Sequence, residues 1–137
     1  KSVIVKEINK IFRSYKPYEI FVPHISDVHS DHKVVSEVIS TCTKNFRFPF
    51  IKRILAYETI SETEYNLHKS KQFHPNFFED ISDFLSKKIK ASKIYKSEMG
   101  KFPFPRSSKA IESQARWRGT AIGAKAAEAF ELLKQIL

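Results

Sequence analysis

The sequence is poor in cysteine. A single thiol, Cys42, stands among 137 residues. That excludes an internal disulfide and is consistent with a reducing, cytoplasmic compartment. Long apolar runs are also missing: none reaches the roughly 18 residues that a membrane span needs. The opening residues carry no signal-peptide pattern. There is no zinc-finger spacing, no RNP motif and no P-loop. Nor is there an internal repeat or a low-complexity segment. What is present suits one folded domain of the common size of roughly 100–150 residues. Apolar residues make up 42% of the chain and aromatic residues 13%, which argues against disorder.

The formal net charge of +9 points to anionic partners or substrates. The densest basic run is Lys87, Lys88 and Lys90, continuing through Lys93 and Lys96. Glu79, Asp80 and Asp83 precede it on the same segment. Acids early and lysines late complement a helix dipole, so this run reads as a solvated helix face, and no nucleic-acid partner is expected.

Hydrophobic spacing sets out the elements. Residues 2–16 carry Ile4, Ile8, Ile11, Phe12 and Tyr15 on one helical stripe, closed by Lys16-Pro17. Glu19 to Val22 reads as a strand. Because it is apolar without alternation, it is expected at the centre of the sheet. Residues 23–31 form a polar loop and 32–43 a helix that holds Cys42 on its apolar face. Lys52 to Glu58 has β character, and Asn76 to Ile81 includes a short strand. Ser82 is a plausible N-cap for a helix through about Glu98. Ser107 or Ser108 caps another, from about Lys109 to Ile122. Ala126 to Leu133 fits either a helix or an edge strand. Strands and helices interleave, which favours an α/β layer fold.

The chemistry concentrates in Phe21 to His32. This stretch holds His24, His29 and His32 with Asp27 and Asp31, in a loop between strand and helix. Open α/β sheets place their sites at the carboxyl ends of such strands. Imidazole and carboxylate are ligands that zinc accepts, and His29-Ser30-Asp31-His32 sets two imidazoles and a carboxylate within one turn. Asp31 is suited to orient an imidazole through its second ring nitrogen. The competing reading is a helix-capping loop with Ser30 or Asp31 as N-cap.

Five segments in order carry a resemblance. They are Pro23 to His32, with Asp27, His29, Asp31 and His32 in a D-x-H-x-D-H pattern; Tyr57-Glu58-Thr59 to Glu64; and Phe73-His74-Pro75 to Ser82 with Tyr95-Lys96-Ser97-Glu98. Pro103-Phe104-Pro105-Arg106-Ser107 follows, then Arg116-Trp117-Arg118-Gly119 with Gly123 and Ala127 to Leu132. Together they resemble the LmbE-like, PIG-L family of zinc-dependent N-acetylglucosamine deacetylases. That family's first motif, an Ala-His-Pro-Asp-Asp-Glu stretch after its first strand, is absent. The resemblance therefore implies that residues 1–137 are the C-terminal portion of such a domain, with a Rossmann-like three-layer sandwich and a mainly parallel sheet.

It further implies a Zn2+ cofactor with His32 as metal ligand. The other ligands and the general base would come from the missing motif. His29 and Asp31 are the implied catalytic residues: His29 acts on the tetrahedral intermediate or the leaving amine, and Asp31 orients it. Arg106 is the candidate for binding substrate, or else forms a salt bridge. Asp27 has a bracing or catalytic role, and Glu128 is a carboxylate with access to the pocket. Arg116 and Arg118 are expected to tie the last helix to the loop, and His68 and His74 to be exposed. The implied substrate is an acetylated amino sugar, and a homo-oligomer is expected. The alternative functional class is a non-enzymatic basic module that binds an anionic partner through the lysine helix.

Overall fold

The computed structural model describes residues 1–137, the side chain of Lys69 excepted. The described residues form four α-helices and four strands. They are α1 (Ser2–Tyr15), β1 (Glu19–Pro23), α2 (Ser30–Cys42), β2 (Arg53–Tyr57), β3 (Phe77–Asp80), α3 (Leu85–Ser92), α4 (Ser108–Thr120) and β4 (Ala127–Gln135). The strands make a mixed sheet in the order β1-β2-β4-β3. This is the expected α/β class, with a parallel β1-β2 pair and an antiparallel β2-β4 pair. The chain divides into two units, residues 1–75 with 130–137, and residues 76–129.

In the first unit the stripe on α1 buries Phe12, and Val5 and Ile8 pack beside it. The helix stops where Lys16 turns left-handed, with φ 46°, and gives its N–H to the Phe12 carbonyl. Pro17 cannot continue the ladder. β1 and β2 pair in register from Glu19 opposite Arg53 to Pro23 opposite Tyr57. Arg53 ties three strands at one level, reaching Glu19 at 2.9 Å and Gln135 at 2.7 Å. The core joins Phe12, Val22, Val38, Ile39, Cys42, Phe48, Ile51, Ile54 and Ala56.

The expectation of a central β1 is corrected: β1 is an outer strand. Its apolar run has a different cause. Val22 is buried in the core with residues of α1 and α2. Phe21, on the opposite face, is half exposed and packs against Phe130, with ring centroids 5.3 Å apart.

The second unit has its own small core of Ile81, Leu85, Ala115 and Ala126, with Ile89 against it. The long helix expected from Ser82 to Glu98 is corrected to the eight residues of α3. The Asp80 carboxylate takes both the N–H and the hydroxyl of Ser82, at 2.8 and 2.6 Å. That turn delays the helix to Leu85. In α4, Ser107 is the N-cap and accepts from the Ala110 N–H at 3.2 Å, as one of the two expected serines. Gly119 lets α4 approach the following chain: a Cβ there would stand 2.5 Å from the Ala124 carbonyl oxygen. The ambiguous segment after Lys125 resolves as β4. It is an interior strand, neither a helix nor a sheet edge.

Candidate active site

β1 delivers the chain into a loop of residues 24–29, and α2 takes it out at Ser30. The residue that caps α2 is His29, which corrects the expectation of Ser30 or Asp31. His29 has extended backbone angles, and its Nδ1 accepts from the Asp31 N–H at 3.2 Å. An imidazole that accepts at Nδ1 carries its proton on Nε2 when neutral. The contact between Asp31 and His29 is thus this cap bond from the Asp31 backbone amide, and not the expected one from its carboxylate, which lies at the exposed surface.

The carboxylate that orients an imidazole is Asp27. It is fully buried, and its Oδ2 accepts from His32 Nδ1 at 2.8 Å. Its Oδ1 accepts from the Thr63 hydroxyl, and the Thr63 oxygen accepts from the Thr59 N–H at 2.7 Å. The Val28 N–H reaches the Glu62 carbonyl at 3.4 Å, so residues 59–63 brace the loop at two points. Tyr57, half buried at the end of β2, has its phenol pushed up in pKa, first by burial and then by the charge of Asp27. The His29 and His32 rings lie 4.9 Å apart between centroids, tilted by 31°. With His32 Nδ1 turned to Asp27, Nε2, across the ring, is directed away from that carboxylate and holds the lone pair when the ring is neutral.

His24 has a structural role. It is buried, with Nδ1 against the Ser26 hydroxyl and N–H and Nε2 3.2 Å from Glu131. Glu131 also accepts from the His74 N–H at 3.2 Å. This chain fastens the start of the loop to β4. Neither Glu131 nor Thr63 stands out in the sequence: Thr63 sits in a polar stretch without periodicity, and Glu131 in a strand that also read as helix.

An imidazole backed by a buried carboxylate is the usual form of a zinc ligand. A catalytic zinc needs about three protein ligands. Among the described residues, no cluster of three or more His, Cys, Asp or Glu side chains could hold a metal ion. The donor set present thus fits one ligand position and falls short of a whole site. Beside the loop lies a cavity of about 350 Å³, lined in part by Ser26, Lys33, Tyr65, His68 and Lys71.

In the second unit, Arg106 is held locally. Its Nε donates to the Glu98 carbonyl at 2.8 Å, its Nη2 lies 3.4 Å from the Glu98 carboxylate, and its guanidinium stands 5.1 Å above the Phe104 ring. Glu128 pairs with Lys88 at 2.8 Å. Arg116 pairs with Glu112 within α4, which corrects the expected tie to the loop. His68 and His74 are exposed as expected.

No protein-family model matches the sequence. Three solved structures are similar throughout the chain. A conserved protein from Thermus thermophilus is 24% identical, with a TM-score of 0.71 over 96% of this chain and 58% of its own. N,N'-diacetylchitobiose deacetylase from Pyrococcus horikoshii is 20% identical, with a TM-score of 0.71 over 98% of this chain and 52% of its own. The 4-carboxy-2-hydroxymuconate hydratase from Pseudomonas putida is 12% identical, with a TM-score of 0.73 over 100% of this chain and 60% of its own. The chain has their fold. It spans little more than half the length of each, and at these identities the likeness is one of architecture. No helix is long and apolar enough to cross a membrane among the described residues.

Proposed function

We propose that this chain is the C-terminal portion of a metal-dependent hydrolase that removes the N-acetyl group from an N-acetylglucosamine-type sugar conjugate. The observation that carries the reading is the Asp27–His32 pair: a buried carboxylate behind one ring nitrogen, the other nitrogen directed away from it, where the loop after β1 enters α2. The likeness in fold to a diacetylchitobiose deacetylase supports the same class.

In this reading His32 holds Zn2+ through Nε2, and the remaining ligands and the general base belong to a segment outside these 137 residues. Zinc, when bound, supplies Lewis-acid polarisation of the acetyl carbonyl and a water that ionises near neutrality. His29 contributes an Nε2–H donor, because its Nδ1 is engaged by the Asp31 amide. In this reading that proton serves the oxyanion or the leaving amine. Asp31 acts by holding His29. Arg106 is the candidate for contacting the sugar or an anionic group, by exchanging its present Glu98 contacts for substrate. Lys33, Glu37, Asn66 and Lys71 give the cavity beside the loop a polar and charged lining that suits a polar conjugate.

The test is acetate release from N-acetylglucosamine derivatives by the full-length protein, with metal analysis alongside. The reading expects zinc and activity together, both lost in His32→Ala. It also expects residues 1–137 alone to be inactive, since a missing general base costs roughly 10²–10⁴ in rate. Full-length protein that holds no zinc and releases no acetate would overturn the reading and favour the basic binding module.

A further inference from the structure

We propose that Thr63 is a positioning residue that selects the tautomer of His32, acting through Asp27, and so keeps Nε2 as the ring nitrogen with the lone pair. This deepens the reading of His32 as a site residue and rests on it.

Asp27 is fully buried, so both its oxygens depend on donors from the protein. Oδ2 takes the His32 Nδ1–H at 2.8 Å, and Oδ1 takes the Thr63 hydroxyl. The Thr63 oxygen receives the Thr59 N–H at 2.7 Å, which occupies a lone pair and turns the hydroxyl proton to Asp27. The donors run one way, from the Thr59 amide through Thr63 to Asp27, and the carboxylate then holds the His32 proton at Nδ1. Bonds aligned in this way reinforce each other in a buried site.

Without the Thr63 hydroxyl, Asp27 Oδ1 and the Thr59 N–H both lose their partner. An orphaned buried oxygen is costly, and the carboxylate relieves it by turning towards another donor. That turn takes the acceptor away from His32 Nδ1. An unconstrained neutral histidine prefers the Nε2–H form, which converts the acceptor at Nε2 into a donor.

The experiment is long-range proton–nitrogen correlation spectroscopy of the nitrogen-labelled protein, freed of metal by a chelator, at a pH where the rings are neutral. His32 is assigned by its loss in His32→Gln. The expected wild-type result is Nδ1–H at His32 and the opposite form at His29, which is capped through Nδ1. Thr63→Val should make Nε2–H the major form at His32 and leave His29 unchanged. Thr63→Ser should restore Nδ1–H. Thr63→Ala replaces the valine variant if its backbone spectrum shows loss of fold.

The proposal is overturned if wild-type His32 is mainly Nε2–H. It is also overturned if a folded Thr63→Val or Thr63→Ala retains Nδ1–H, or if Thr63→Ser shifts as far as Thr63→Ala. Because the readout is neither acetate release nor zinc content, failure of the hydrolase reading leaves this result separately legible.

Discussion

At the residue scale, burial decides which of the loop's acids is structural. Asp27 and Asp31 are four positions apart, and the sequence alone favours Asp31, beside His32. The fold puts Asp27 inside, under Thr63, and leaves Asp31 at the surface. Spacing carries no information about which side of an irregular loop faces inward, so the loop was legible and its internal wiring was not. Asp27→Ala should therefore cost about 1–3 kcal/mol, the range for stranding buried polar partners, measured by urea denaturation. Asp31→Ala should change stability little. Cys42 was legible because its helical neighbours are apolar. It is buried, and burial pushes its thiol up. Native protein should resist thiol reagents that label it at once in urea. The raised thiol and the raised phenol of Tyr57 also fix a sign. The unfolded chain releases these protons first, so their stabilising effect is complete at lower pH and is lost as pH rises. The denaturation midpoint should fall above about pH 8.5, the ordinary thiol value. Cys42→Ala should flatten the first part of that fall.

At the element scale, most helices and strands follow from periodicity, and the departures come from local hydrogen bonds that periodicity does not register. The Asp80–Ser82 turn shortens α3, and His29 usurps the cap of α2. β4 was undecided because Ala-Glu-Ala-Phe-Glu-Leu suits both periods. Its pairing with β2 settles the matter, through a partner more than seventy residues away. Two substitutions probe the second unit. Ser107→Ala removes the α4 cap and should cost about 1 kcal/mol. Gly119→Ala improves helix propensity by about 1 kcal/mol, yet its Cβ would meet the backbone at Ala124 and Ala126. The collision should win, and the thermal midpoint should fall.

At the scale of the whole molecule, the sheet ends on β1, a strand with one unpaired side and a half-exposed phenylalanine. Open edges recruit strands, so the purified chain should run above its 15.9 kDa mass in light scattering. A charge at Phe21 should reduce that association. The parallel β1-β2 pair and the α/β class could be read from the order of apolar segments. The outer place of β1 could not, because a strand covered on one face and holding a Phe–Phe contact on the other looks like a central one. β4 sets a different constraint. The first unit consists of residues 1–75 and 130–137, and Arg53 meets Gln135 across 82 positions. The ribosome therefore makes the second unit before it has finished the first. While residues 130–137 remain in the exit tunnel, β2 has no partner on that side and His24 has no Glu131. Pairings so distant in sequence are slow to form, and here they must also wait until residues 130–137 have been made. A nascent chain arrested before Phe130 should stay open to proteases throughout residues 1–75, and emergence of residues 130–137 from the ribosome should close that stretch in a single late step.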